Sequence, residues 1–491
     1  MRQLSFMDHA FLLQERPTTP NHLCMVNIYD PGTSPNGAPS FDQIQAKLLS
    51  CVADASSFRQ KLLEVPFNLD RPYWVDDPDF DLGFHVRHIA LPKPGDWRQF
   101  CVQVARLHAR PIDLTRPPWE MTVIDGLDNI HQFPPGCFAT VLKVHHSAID
   151  GVSGVALLNV IHDFQADAPA ADEAADWAPE PLPSAQELIR LAGVHALSNP
   201  LRTARILIAN APPLARELAS SLRTRNDSVR VPRTRFNTKV SAHRAFDEAR
   251  CSLADLKAIK SAVPAATIND VCLSIIGGAM RSLLNEGDEL PAESLVTMVP
   301  VSTRTPEQAG DGGNQVSMMR VSLRTDLPEP LARLAAIRDE TVAKKASQNG
   351  VAVPVLLEVA QLVPGALIGA AVRGMAAFGG RGPVLANTIV TNVPGSPVPL
   401  YFLGCKLVRS TGCVPLIDGV GLFHCVTSFC GEFSFMVTVD RDMMADPAPY
   451  IEHLHASIRA HLDAAAAATA TATATASPTR PKSKASSGGR R

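Results

Sequence analysis

The chain is 491 residues long, about three times the usual domain size, so two domains are the first expectation. Lys plus Arg number 46 against 48 for Asp plus Glu, a formal net charge of -2, and that balance argues against a nucleic-acid binder, which carries an excess of basic residues. Hydrophobic residues make up 46% and charged ones 19%, which supplies large cores and excludes a wholly disordered chain.

The opening residues, Met1 to Glu15, are interrupted by Asp8, His9 and Glu15 and so lack the unbroken apolar run of a signal peptide. Ten cysteines are scattered without a CxxC pair, and Cys137 and Cys272 sit inside apolar runs. Such cysteines read as reduced core residues of a cytoplasmic protein. No metal-ligand spacing is present. Up to about Asp163 strand-like and helical segments alternate. Residues 138–144 are β-branched and apolar enough for a buried strand, which His145 and His146 end. Asp150-Gly151 then turns the chain into a helix carrying Val155, Leu158 and Ile161.

Composition shifts at residues 165–183, which are Ala, Asp, Glu and Pro with one Trp, a solvated linker. Residues 185–222 read as amphipathic helix with Arg190, Arg202, Arg205 and Arg216 between apolar positions. The basic run Arg223, Arg225, Arg230, Arg233 and Arg235, broken by Pro232, is either a solvated connector or a surface for anionic lipid or phosphates. Regularity returns at Phe236. Ser252 opens a helix through Leu253, Leu256 and Ile259. A second helix from about Asn269 to Gly287 pairs Val271/Cys272, Ile275/Ile276, Ala279/Met280 and Leu283/Leu284, the pattern of a helix buried on most sides. The greasy stretch Val351–Phe378 is broken by Glu358, Gln361, Arg373 and two prolines, so it is too interrupted to span a membrane but could lie on one. Cys425 to Asp440 reads as two strands around Cys430-Gly431. From Ala464 the Ala/Thr repeats and the basic Ser/Pro/Gly end read as a disordered tail. The expected division is an α/β domain over 1–164, a linker over 165–235, a second α/β domain over 236–463 and the tail over 464–491.

The chemistry concentrates at the strand end. A strand terminus followed by a tight turn holds a side chain rigidly yet accessibly. Imidazole titrates near neutrality, so His146 can take a proton from a hydroxyl, while Asp150 orders the loop. Neighbouring strand residues face opposite ways, which argues against a shared metal ion. No GxSxG elbow, phosphate-binding loop or dinucleotide fingerprint is present, so neither an acyl-serine route nor a nucleotide cofactor has support.

His145-His146-Ser-Ala-Ile-Asp150-Gly151 resembles the HHxxxDG motif of the CoA-dependent acyltransferase superfamily, which includes chloramphenicol acetyltransferase and peptide-synthetase condensation domains. Pro111-Ile-Asp-Leu-Thr-Arg-Pro-Pro118-Trp119-Glu120 resembles the PLDLxxPLW segment of the bacterial wax ester synthase/diacylglycerol acyltransferase family, with Pro118 where the family usually has Leu. Ala266-Thr-Ile-Asn269-Asp270-Val resembles its TxND motif. The segments Leu4–Phe11, Val299-Pro-Val-Ser, Gly313-Asn-Gln-Val316 and Thr391–Gly395 are similar to further landmarks in the same order.

The resemblance implies two chloramphenicol-acetyltransferase-like α/β domains, mixed sheets flanked by helices, with a tunnel at their interface. It implies an O-acyltransferase without bound cofactor or metal that takes long-chain acyl-CoA as substrate and acylates diacylglycerol or a long-chain fatty alcohol. His146 would be the general base, with His145, Asp150 and Gly151 shaping the motif loop. Asn269 and Asp270 would either serve the developing oxyanion or cap their helix. Trp119, next to Pro118, would line the acyl tunnel or fill the core. Peripheral contact with a membrane or lipid-droplet surface follows from the mixed apolar-basic segments, and no nucleic acid is expected. The other readings are a condensation-type enzyme using carrier-bound or amine substrates and a non-catalytic lipid-binding relic.

Overall fold

The computed structural model describes residues 1–149, 160–167, 178–215, 230–302, 316–347, 355, 358–365, 367–370, 374 and 384–476. The first half contains β1 (Arg2–Gln3), α1 (Phe6–Gln14), β2 (His22–Asp30), α2 (Phe41–Asp54), β3 (Gln60–Leu63), β4 (Tyr73–Asp76), α3 (Leu82–His85) and β5 (Val86–Ala90). It continues with α4 (Trp97–Ala109), β6 (Trp119–Asp125) and β7 (Phe138–His145), and the long helix α5 (Ala185–Ala209) follows. The second half contains β8 (Arg244–Ser252), α6 (Leu253–Ser261), α7 (Ile268–Glu286), β9 (Val296–Ser302), β10 (Val316–Ser322) and α8 (Pro330–Ser347). After these come β11 (Thr388–Pro394), β12 (Tyr401–Phe402), β13 (Cys405–Cys413), β14 (Leu422–Phe429), β15 (Glu432–Asp440) and α9 (Ala448–Ala476).

Two six-stranded mixed sheets carry the fold, in the orders β12-β13-β2-β7-β6-β5 and β10-β9-β11-β14-β15-β8, beside a small β1-β4-β3 sheet. The first sheet is antiparallel except at the β5–β6 pair. The second is parallel where β11 meets β9 and β14. A contiguous cut at residue 236 therefore does not separate the sheets, because Tyr401–Cys413 crosses back and covers the free edge of β2. Hydrophobic alternation marks β13 as a strand but cannot say which edge it pairs with.

Strand β7 is buried along its whole length. Its one charge, Lys143, is satisfied by Glu120 at 3.1 Å and by the carbonyls of Leu107 and Arg110 at 3.3 and 2.9 Å, as a buried cation requires. Helix α7 is enclosed by α6, α8 and α9 within the second-half core. A Cβ on Gly277 would stand 2.3 Å from the Leu323 carbonyl oxygen, so glycine permits that close approach. Between the sheets, Val26, Ile28 and Val141 of the first pack with Phe246, Cys425 and Met436 of the second. The same interface holds a buried ion pair, Arg409 with Glu248 at 3.1 Å, and Arg409 also lies over the Phe133 ring at 4.6 Å.

Ser252 caps α6, and β14 and β15 form the hairpin at Cys430-Gly431. The chain end differs from expectation. Helix α9 continues through Ala464 to Ala476, so that part of the expected tail is helical, and residues 477–491 lie outside the described ones. Alanine has the highest helix propensity, and a run seeded by the packed turns before it propagates. Of the expected basic run, Arg223 and Arg225 lie outside the described residues while Arg230, Arg233 and Arg235 lie within them, and half of Val351–Phe378 lies outside. Among those described, no helix is long and apolar enough to cross a membrane.

Candidate active site

The paired histidines sit where a rigid strand meets a turn. The His145 amide donates to the Pro118 carbonyl at 2.9 Å, and the His146 amide donates to the Asn21 carbonyl at 2.8 Å. From His146 the chain enters a 3-10 turn over His146–Ile149. The segment carrying Pro118 and Trp119 thus holds the backbone of the motif itself.

His145 is fully buried and clamped at both ring nitrogens. Nδ1 lies 2.7 Å from the Ser147 hydroxyl and accepts the Ser147 amide at 3.2 Å, while Nε2 meets the Glu15 carboxylate at 2.5 Å. A backbone amide only donates, so Nδ1 is the acceptor and the proton sits on Nε2, facing Glu15. His145 has no free nitrogen for chemistry.

His146 is different. Its ring stacks on Phe11 with centroids 4.1 Å apart, and the side chain remains partly exposed. Among the described residues Nδ1 is buried without a hydrogen-bond partner, and none of them bonds Nε2. Burial first, with the neighbouring His145 acting in the same direction, lowers its pKa to about 4. The ring is accordingly neutral at physiological pH and presents a lone pair. Helix α1 organises this side of the site. It is capped by Ser5, carries Phe11, ends next to Glu15, and holds Asn21 through a 2.9 Å bond from Nδ2 to the Phe11 carbonyl.

In the second half, Thr267 caps α7, and Asp270 completes a capping box with it. Asp270 is buried, accepting from the Thr267 amide and hydroxyl at 2.8 Å each and from the Thr341 hydroxyl at 2.8 Å. It is structural. Asn269 neither caps nor is buried; its Oδ1 accepts from Nδ2 of Asn392 at 2.6 Å. Asn392 belongs to the Thr391–Gly395 segment on β11, where a Cβ on Gly395 would come within 2.0 Å of the Ser428 carbonyl oxygen. Two separate motifs therefore meet at one amide pair. Among the described residues no hydrogen bond joins Asn269 to His146.

Trp119 is core: 2% exposed, donating from Nε1 to the Phe58 carbonyl at 2.7 Å and stacked on His85 at 4.6 Å. That packing is the core-filling alternative for Trp119. Pro118 is likewise buried, and its carbonyl serves His145. Asp150, Gly151 and residues 313–315 lie outside the described residues. No cluster of three or more metal-ligating side chains occurs among those described. A cavity of about 230 Å³ opens between β13 and the β14–β15 hairpin, lined by Arg250, Lys406, Arg409, Phe429 and Glu432. It is remote from the histidines. His145 pairs with His22 and Lys406 with Asp30, at opposite ends of β2 and about 27 Å apart at about 3.4 Å per residue.

Glu15, Phe11, Asn21 and Ser147 escaped the reading of the sequence. The Leu4–Phe11 motif was the one signal for this side, and nothing in its spacing shows that α1 folds onto the histidines.

Two family models match this chain: the wax ester synthase/diacylglycerol acyltransferase catalytic domain over residues 4–272 and the WS/DGAT C-terminal domain over residues 312–461. A Mycobacterium tuberculosis protein provisionally named a diacylglycerol O-acyltransferase is 32% identical, covering 91% of this chain and 87% of its own. A wax ester synthase/diacylglycerol acyltransferase from Marinobacter aquaeolei VT8 superposes with a TM-score of 0.66 at 25% identity, covering 95% of this chain and all of that one. The first condensation domain of the CDA synthetase shares the fold at a TM-score of 0.56 and 16% identity, covering 95% and 96%. A starter condensation domain of rhizomide synthetase, solved with C8-CoA, shares it at 0.52 and 15%, covering 95% of each. With both family models matched in order and the fold shared, this chain belongs to the wax ester synthase/diacylglycerol acyltransferase family of O-acyltransferases.

Proposed function

We propose that the protein transfers a long-chain acyl group from acyl-CoA to the hydroxyl of diacylglycerol or a long-chain fatty alcohol, with His146 as the general base. The observation that carries this reading is the state of His146: neutral, backed by Phe11, fixed by its backbone, and bonded at Nε2 by none of the described residues. The acceptor hydroxyl gives its proton to Nε2 as its oxygen attacks the thioester carbonyl. Collapse of the tetrahedral intermediate breaks the carbon–sulfur bond, and the proton passes to the departing CoA thiolate. No acyl-enzyme is needed because the thioester arrives activated.

Glu15, His145 and Ser147 are positioning residues that hold the turn from which His146 projects. Asn269 is the oxyanion donor in this reading. Its Oδ1 is occupied by Asn392, so the free end of the amide is the donor end. A tunnel between the sheets, closed to water, would protect the thioester from hydrolysis. The acceptors are lipids, so the reading includes peripheral contact with a membrane or lipid-inclusion surface.

Purified protein with palmitoyl-CoA and hexadecanol, dioleoylglycerol or no acceptor, followed by mass spectrometry of the products, tests it. Wax ester or triacylglycerol formed only with acceptor supports the reading and ranks the alcohols. CoA release of equal rate without acceptor would make the protein a thioesterase and defeat it.

A further inference from the structure

Helix α5 shows two faces. Leu188 and Ala192 are buried against Val65, Tyr73 and Val75. On the same side His195 bonds the Asp70 carboxylate at 2.5 Å, and Asn199 donates to the Leu362 carbonyl at 3.2 Å. At about 100° per residue these four positions fall on one line along the helix. The opposite line carries Val194, Leu197, Leu201 and Ile208, exposed by 51%, 80%, 65% and 74%.

A solvent-facing stripe of large apolar side chains needs a cover. Its flanks say which. Arg190 and Arg205 lie on the stripe's side, whereas Arg202 falls toward the packed line; all three are exposed, and none has an ion-pair partner among the described residues. No acidic residue occurs from Leu188 to Arg216. The spacing also suits another helix, but a second copy would set arginine against arginine, whereas helix seams are framed by opposite charges. Apolar side chains below and unopposed arginines above are what an interfacial helix presents to anionic headgroups.

We infer that α5 docks the protein on an anionic phospholipid membrane, with Val194, Leu197, Leu201 and Ile208 entering the acyl boundary and Arg190 and Arg205 meeting the headgroups. This rests on the lipid-acceptor reading above and adds which face meets the membrane. The packed face of α5, opposite the stripe, is tied to the site. Beside the Asp70 that holds His195, Arg71 donates to the Leu4 carbonyl at 2.7 Å and to the Gln361 carbonyl at 2.7 Å. Leu4 precedes the cap of α1, and α1 carries Phe11 to the His146 ring.

The test is flotation of the full-length protein with phosphatidylcholine vesicles, with and without phosphatidylglycerol. Wild type should float with the anionic vesicles and be released by salt. The Leu197→Ser/Leu201→Ser variant should partition at least about tenfold less. The Arg190→Gln/Arg205→Gln variant should lose the preference for phosphatidylglycerol. Both variants should transfer acyl groups to a short, water-soluble alcohol at the wild-type rate, which shows they are folded. Loss of flotation is thereby separated from failure of the transferase reading, which would abolish transfer in every protein tested. Wild type remaining soluble with both vesicles, or variants floating equally well, overturns the proposal. So does a wild-type dimer by light scattering that the double serine variant dissociates, since the stripe would then be a protein interface.

Discussion

Replacing Phe11 by alanine is the sharpest probe of how the structure tunes its base. Phe11 covers one face of the His146 ring, and burial is the main reason that ring's pKa falls from 6.5 to about 4. Uncovering one of two faces should return about 1 unit of the depression. A general base works unprotonated, so a lower pKa carries activity to lower pH, and raising it withdraws activity from the acid side. At pH 5 the neutral fraction would drop from about 90% to about 50%. The assay is acceptor-dependent CoA release, as kcat/KM, between pH 4 and 8. Wild type should hold its rate down to about pH 4, and Phe11→Ala should bend nearer pH 5. Phe11→Leu, which keeps an apolar cover, should stay close to wild type. A wild-type limb at pH 6.5, or an unmoved limb in Phe11→Ala, would refute the claim that desolvation under Phe11 sets the state of His146.

Three further outcomes follow from the same structure. Glu15→Ala should lower kcat about 10²-fold, since a misplaced base loses its attack geometry, with the KM for acyl-CoA little changed; Glu15→Gln, still able to accept from His145 Nε2, should recover most of the rate. Glu248→Gln should destabilise the fold by about 3–5 kcal/mol, measured by denaturant titration, because it strands the buried Arg409 charge between the sheets. Acid should destabilise the protein early. Burial lowers His9, His146 and His461 to about 4, and His108 and His424 to about 3. Groups depressed on folding stabilise the native state above their unfolded pKa of 6.5, and that contribution is lost as pH falls from about 6.5 through 4, by about 1 kcal/mol per pH unit for each. The melting temperature should therefore decline below pH 6.5, and His424→Gln should flatten the decline.

Much of this was legible in the residues. Apolar periodicity marked β7, α7 and the β14–β15 hairpin because each is local and packs as its pattern demands. Ser252 announced its own helix. The cap of α7 was misplaced by two positions: Asn269 and Asp270 are good caps in isolation, but Thr267 with Asp270 at the third helical position makes the reciprocal box. What could not be read was the long-range assembly. Glu15 and His145 are 130 positions apart, and neither motif names the other. Asn269 and Asn392 each belong to a motif, yet only the pairing of β11 beside α7 makes them one unit. Strand β13 carries an ordinary strand pattern, and its return to the first sheet is a property of the β2 edge that receives it.

The central claim is that His146, and not its neighbour, takes the proton of the acceptor hydroxyl. The direct measurement is the rate of ester formation from palmitoyl-CoA and the preferred lipid alcohol in His146→Ala, beside wild type and with matched melting curves. The expected result is a folded variant whose acceptor-dependent transfer falls by about 10² or more. A folded His146→Ala protein that still forms ester at the wild-type rate would contradict it.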